Sequence, residues 1–187
     1  MGRPPLTQQR QREILAAFER CVLRDGLAHT TVAAVAVEAG IQRTLVHHYF
    51  GGMEGLVRAL VVSLTRELAQ DFGDASAKPP RLAALLDFLF RRKPSRAEML
   101  IGALRAPGTV SANAPLASMY EAFTAGLDAC LRAEIPEAPA GRRRATAFAI
   151  VCLAMSRFQL ARLGVPPRRT RALRSSAEVL IGALRGA

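Results

Sequence analysis

Tryptophan is absent from these 187 residues, and aromatic residues of all kinds make up only 5%. Cysteine is scarce too. Cys21, Cys130 and Cys152 are odd in number, far apart, and form no C-x-x-C pair. That pattern excludes a disulfide framework and a cysteine-based zinc site, and it leaves buried reduced thiols. No apolar run reaches the ~20 residues that a membrane span needs. The longest, ATAFAIVCLAMS at 145–156, is bracketed by Arg144 and Arg157. The opening MGRPPLTQQRQRE has no apolar core of signal-peptide type. A cytoplasmic protein with no membrane segment is therefore expected. Also missing are G-x-S-x-G, H-E-x-x-H and a phosphate-binding glycine loop; the Gly51-Gly52 pair lacks the lysine that would follow in such a loop. An enzyme is not expected, and no catalytic residue, cofactor or metal is assigned.

Lysine is nearly absent as well: Lys78 and Lys93 are the only two among 26 basic residues. The formal charge of +11 invites a nucleic-acid partner, but its distribution tempers that reading. Residues 1–66 carry eight arginines against five acids, a net +3, and residues 67–187 carry 18 bases against 10 acids, a net +8. Most of the excess lies after residue 66.

What the chain does have is helical periodicity. Half its residues are apolar, and no segment alternates apolar and polar residues in the manner of a half-buried strand. Ile14, Phe18 and Val22 recur every four residues, with Gly26 placed to end that helix. Thr31 directly precedes VAAVAVEA and reads as an N-cap, with Val32, Val35, Ala36 and Ala39 facing inward. Gly40 breaks the pattern, and a second short helix begins near Ile41, which is a helix-turn-helix layout. Leu56, Leu60, Leu64, Leu68 and Phe72 mark a longer helix. Later helices are expected over RLAALLDFLFRRK (81–93), SRAEMLIGALRA (95–106), LASMYEAFTAGLDACLRAEI (116–135), 140–163 and 168–185, with a loop at 107–115. The expectation is an all-α fold of about nine helices.

Within GIQRTLVHHYF (40–50) stand two of the three histidines. As neighbours on a helix, His47 and His48 diverge by about 100°, and no Cys, Asp or Glu stands at the i, i+3 or i, i+4 spacing that a shared metal favours. A DNA contact suits the chemistry better. The start of a helix laid in the major groove meets base edges. Arg43 can donate two hydrogen bonds to guanine, and Gln42 can pair with adenine. His47, His48 and Tyr49 follow one turn later with donors for phosphate oxygens, and Thr31 offers a hydroxyl. Leu45, Val46 and Phe50 are expected to pack inward. The plainer alternative is a solvated helical face.

The run TTVAAVAVEAGIQRTLVHHYFGGMEGLVRAL resembles the N-terminal domain of the tetracycline-repressor (TetR) family of transcriptional regulators, over about residues 8–68. The landmarks are Gly26, Thr31, Ala36, Ala39-Gly40, Tyr49-Phe50, Glu54 and Leu56. The resemblance implies a DNA-binding domain at 8–68 with its helix-turn-helix motif at 31–50. It implies a ligand-binding and dimerisation domain at 69–187, and a homodimer joined through the last two helices. Matched position by position, Gln42, Arg43 and Thr44 fall on the base-contacting start of the recognition helix. His47 replaces a usual Tyr, and His48 and Tyr49 fall on phosphate-contacting sites. Ala33 and Met53 stand where many members have a polar base contact and a phosphate-binding Lys, Leu45 replaces a common Thr, and Gln42 a common capping Ser. The N-terminal arm (Arg3, Arg10, Arg12) is expected to compensate.

The function expected from this resemblance is a ligand-responsive repressor that binds a pseudo-palindromic double-stranded DNA operator as a homodimer. The alternative is a helical small-molecule-binding protein with weakened or lost DNA binding. The effector is expected to be small and hydrophobic. Its expected pocket comprises Leu85, Phe88, Leu89, Met99 and Leu104, with Met119, Phe123, Phe148, Cys152 and Met155. Tyr120, Thr124, Ser156 and Gln159 are its polar candidates.

Overall fold

A computed structural model describes residues 6–77, 79–91, 93–104 and 113–186. Arg3 and residues 107–112 of the expected loop lie outside them. Among the described residues the regular elements are all helical. They are α1 (Leu6–Asp25), a short 3-10 turn (Leu27–His29), α2 (Val32–Glu38), α3 (Arg43–Phe50), α4 (Met53–Ala77), α5 (Arg81–Leu89), α6 (Arg96–Leu104), α7 (Asn113–Glu134), α8 (Ala140–Arg162) and α9 (Pro167–Arg185). None of these is long and apolar enough to cross a membrane. The helices start and stop close to where periodicity places them, with two differences. α5 ends at Leu89 because Phe90 leaves helical geometry, at φ −110° and ψ 26°, and Arg91 then folds its guanidinium over the Phe88 ring, 4.1 Å from the centroid. α7 takes in Asn113, Ala114 and Pro115, which were expected in a loop.

The helices group into two compact units. Residues up to Arg66 cluster with α6 and the start of α7; Glu67–Ser95 cluster with Ala117 onward. α6 thus falls in the first unit, although the expected division puts everything after residue 68 in the second domain.

The first unit is built around Ile14, Ala17, Phe18 and Cys21 of α1, which are fully buried, and Val35, Val46, Leu56 and Val61 join them. Burial pushes the Cys21 thiol up from its ordinary value. Outside this core, Arg20 and Arg24 reach from α1 to Glu38 on α2, at 2.7 and 3.0 Å. Their hydrogen bonds hold the Glu38 carboxyl below its usual range. These groups are exposed, so the pairs fix register more than they add stability.

In the second unit Phe72, Phe88 and Phe123 meet. The Phe72 and Phe123 rings stack 4.5 Å apart, with Phe88 edge-on to both. Pro80 cannot cap α5 with its side chain, so the Glu134 carboxylate does so by accepting the Leu82 N–H at 3.1 Å. Buried Arg143 binds Asp128 at 2.7 Å, and buried Arg157 donates to the Arg91 carbonyl.

Candidate functional site

The chain from 31 to 55 fixes one short helix firmly at both ends. The Ala34 N–H donates to Thr31 Oγ1 at 3.1 Å, which caps α2. That hydroxyl keeps its own proton and is exposed, so it can donate to a phosphate while it caps. At the far end of α2 the Ile41 N–H bonds back to the Ala36 carbonyl at 3.0 Å, around Gly40 at φ +63°. This is a Schellman-type turn, and a Cβ at that φ would be strained. α3 closes on a left-handed glycine too, by the simpler turn in which Gly51, at φ +73°, donates to the His47 carbonyl at 2.8 Å.

Next comes a closer fit. A Cβ on Gly55, in the first turn of α4, would overlap the Phe50 carbonyl oxygen and come within 2.8 Å of its carbon. The bare Cα lets α4 start directly against the end of α3. Between these supports, Val46 is fully buried and anchors α3 from below.

The rest of α3 faces outward. Arg43, Thr44, His47 and His48 are exposed, and Tyr49 is half-buried. Gln42 is the N-cap residue, but its side chain makes no capping hydrogen bond, so its amide is left for another partner. Arg43 has no acidic partner among the described residues. The His48 ring meets the Tyr49 ring edge-on, 5.2 Å apart, which restricts where His48 can point. The His47 ring lies beside Gly52, whose added Cβ would sit 3.5 Å from it. All seven expected DNA-contacting residues therefore lie on α3, its cap or the cap of α2, and none is buried.

Leu45 departs from expectation. It was expected to pack inward and is 38% exposed. It lies one residue before Val46, so it is rotated about 100° from the buried direction. That puts it beside Thr44 and His48 on the open arc, where an apolar side chain can meet a thymine methyl. Helical phase counted from Val46 was the available signal.

The second unit holds a cleft of about 470 Å³ along α7 and α8. Phe148 lines it; the other nine residues of the expected pocket do not. Leu85, Leu89, Leu104 and Phe123 are fully buried and Met119 nearly so. Phe88 belongs to the aromatic cluster. Met99 is 54% exposed on α6, which with Leu104 belongs to the first unit. Cys152 and Met155 are half-buried along α8. Of the polar candidates, Tyr120 and Thr124 line the cleft, and Ser156 and Gln159 do not. Large apolar residues at helical spacing fill space, which is why periodicity points to a core more readily than to a cavity. The charged lining, Glu121, Asp128, Arg132 and Arg144, carried no such signal. Among the described residues no group of three or more His, Cys, Asp or Glu could hold a metal ion.

Residues 14–60 match the family model described as bacterial regulatory proteins, tetR family. Over that segment the chain is similar to the TetR family of regulators. The HTH-type transcriptional regulator BetI of Brucella suis is 39% identical over 90 residues, covering 46% of this chain and 44% of BetI. The match thus spans less than half the length of that relative. Two solved structures share the fold. A TetR transcription regulator from Haloarcula marismortui is 20% identical with a TM-score of 0.78, covering 95% of this chain and 98% of that one. SmeT, solved in complex with triclosan, is 15% identical with a TM-score of 0.70, covering 94% and 91%. The matched segment runs from the core of α1 to the middle of the first unit's share of α4, and so includes α3 and both of its glycine turns.

Proposed function

We propose that this chain is a cytoplasmic transcriptional regulator, a repressor that binds a pseudo-palindromic operator as a homodimer and releases it when a small molecule binds. The observation that carries the reading is the open arc of α3. It holds Arg43 without an acidic partner, Gln42 free of capping duty, and Thr44, His47 and His48 exposed, on a helix fixed at both ends. Arg43 and Gln42 read base edges; Thr31, His48 and Tyr49 hold phosphates, and His47 serves both. Two such helices enter successive major grooves about 34 Å apart.

The dimer is proposed along α8 and α9. Leu163 and Val179 are 79% and 70% exposed, and apolar side chains left open at the end of α8 and on α9 suit a second copy. Ligand response is supported by a structural neighbour, SmeT, whose complex with triclosan is known. To invert a strongly biased equilibrium, the effector must prefer the DNA-free state by about 5.5 kcal/mol.

A mobility-shift titration with the DNA flanking the protein's own gene tests the proposal. Saturable binding that exceeds binding to unrelated duplex is the expected result. Equal affinity for all duplexes, or none, favours the rival reading, a helical ligand-binding protein without DNA recognition. That rival draws on the exposed Ala33 and Val37 of α2 and on Met53 at the start of α4.

A further inference from the structure

The cleft of the second unit carries two cations that the fold leaves without counterions. Arg132 on α7 and Arg144 on α8 both line it. Neither has a carboxylate within ion-pair distance among the described residues. Arg143, the neighbour of Arg144, is different: it is buried, bonds Asp128 at 2.7 Å, and donates to the Ala138 carbonyl at 3.3 Å. Asp128 is thereby neutralised, although it lines the same cleft.

Geometry sets the two free cations about one and a half turns apart along α7. Five residues, 135–139, join α7 to α8, so the helices run antiparallel, and the Asp128–Arg143 bond fixes their register. Arg144 therefore stands abreast of Leu127, about 7.5 Å along the helix axis from the level of Arg132. Phe148, one turn further along α8, stands abreast of Thr124 and Ala125. Glu121 lies about 16 Å along the helix axis before Arg132 and about 9 Å before the level of Arg144, so it is the counterion of neither. The two cations thus flank Ala129, and the lining turns apolar over Ala125 and Phe148.

We propose that this cleft binds a small amphipathic carboxylate, with its anionic head between Arg132 and Arg144 and its aryl or alkyl body against Phe148. Two guanidinium groups present planar donor forks that fit a carboxylate. The anion also relieves what repulsion the two like charges exert on each other. The volume is in the range of small-molecule sites. As the site of the effector, the cleft rests on the regulator reading above. It changes the expected chemistry from a purely hydrophobic ligand to a hydrophobic body with an acidic head.

Calorimetric titration of the full chain with 4-phenylbutyrate, and with 4-phenylbutanol as its neutral counterpart, tests this. The acid binds about tenfold to a hundredfold more tightly than the alcohol. The double variant Arg132→Gln, Arg144→Gln removes that preference and leaves alcohol binding unchanged, which also shows that it is folded. Phe148→Ala weakens both probes. Equal binding of acid and alcohol, an acid preference that survives the double variant, or binding of neither probe overturns the proposal. So does a double variant that dissociates the dimer in sedimentation, because the cleft would then be filled by a second copy. Mobility shifts on the same samples keep the two readings apart. Acid binding that leaves DNA affinity unchanged upholds the site and overturns its effector role. Intact DNA binding with no bound acid overturns the site alone.

Discussion

The corner between α3 and α4 is held by a missing side chain, and the ring cluster of the second unit is held by bulk. At the corner, Gly55 lies against the backbone carbonyl of Phe50, and nothing larger than hydrogen fits between them. In the cluster, Phe72 stacks on Phe123 while Phe88 meets both edge-on. The corner positions a helix whose use depends on geometry, and its neighbour there is backbone, which has nowhere to go. The cluster surrounds side chains, which can adopt other rotamers. A fixed reading head and an adaptable second unit are what a regulator needs if it keeps one mode of DNA binding while its ligand chemistry varies.

The largest effect expected is that of Phe123→Ala. Phe123 is 1% exposed and stacked on Phe72, so removing its ring costs about 3–5 kcal/mol. Urea denaturation followed by circular dichroism measures it. A loss below about 1 kcal/mol would mean that the cluster collapses freely, and bulk would no longer explain what holds it.

Gly55→Ala comes next. Alanine gains about 1 kcal/mol in helix propensity, but its Cβ meets backbone that cannot step aside, and overpacking of that kind costs about 1–3 kcal/mol or more. The net result is a less stable protein whose α3 is displaced from α4. Operator affinity then falls further than the fraction unfolded accounts for. Affinity that follows folded fraction alone would show that the corner does not position α3 for DNA.

Arg43→Ala tests what that fixed helix is for. The stability of the protein is unchanged, because Arg43 is exposed and unpaired. Operator binding weakens by about 1–3 kcal/mol, and base preference relaxes at one position. If binding to every duplex weakens equally, Arg43 is a phosphate contact and another residue reads the sequence.

Much of the first unit is legible in the sequence. The spacing of Ile14, Phe18 and Val22, the Thr31 cap and the turn at Gly40 are local features, set by residues within one or two turns of each other. The open face of α3 was legible except at Leu45, where hydrophobicity was weighed above helical phase. Gly55 was not legible. In sequence it is a glycine inside a helix, and its reason is a carbonyl on the preceding helix. The cleft was missed for the opposite reason. Arg132 and Arg144 look like ordinary surface arginines twelve residues apart, until an antiparallel connection brings them to the same space. The apolar residues chosen for the pocket were chosen by the signal that also marks a core.

The smallest effect expected sharpens the contrast between the two regions. Gly126 on α7 has its own close neighbour: an added Cβ would come within 2.5 Å of Phe72 Cε1. Here the obstacle is the edge of a ring. Phe72 can turn about χ1 and χ2, although doing so disturbs its stack on Phe123. The strain of that adjustment, about 1–2 kcal/mol, is set against about 1 kcal/mol gained when alanine replaces glycine inside a helix. Gly126→Ala should therefore change stability by less than about 1 kcal/mol, leave operator affinity untouched, and move the near-ultraviolet signal of the phenylalanines. A loss as large as that of Gly55→Ala would mean that the rings are as immovable as a backbone carbonyl, and the second unit would have no more freedom to repack than the corner beneath the recognition helix.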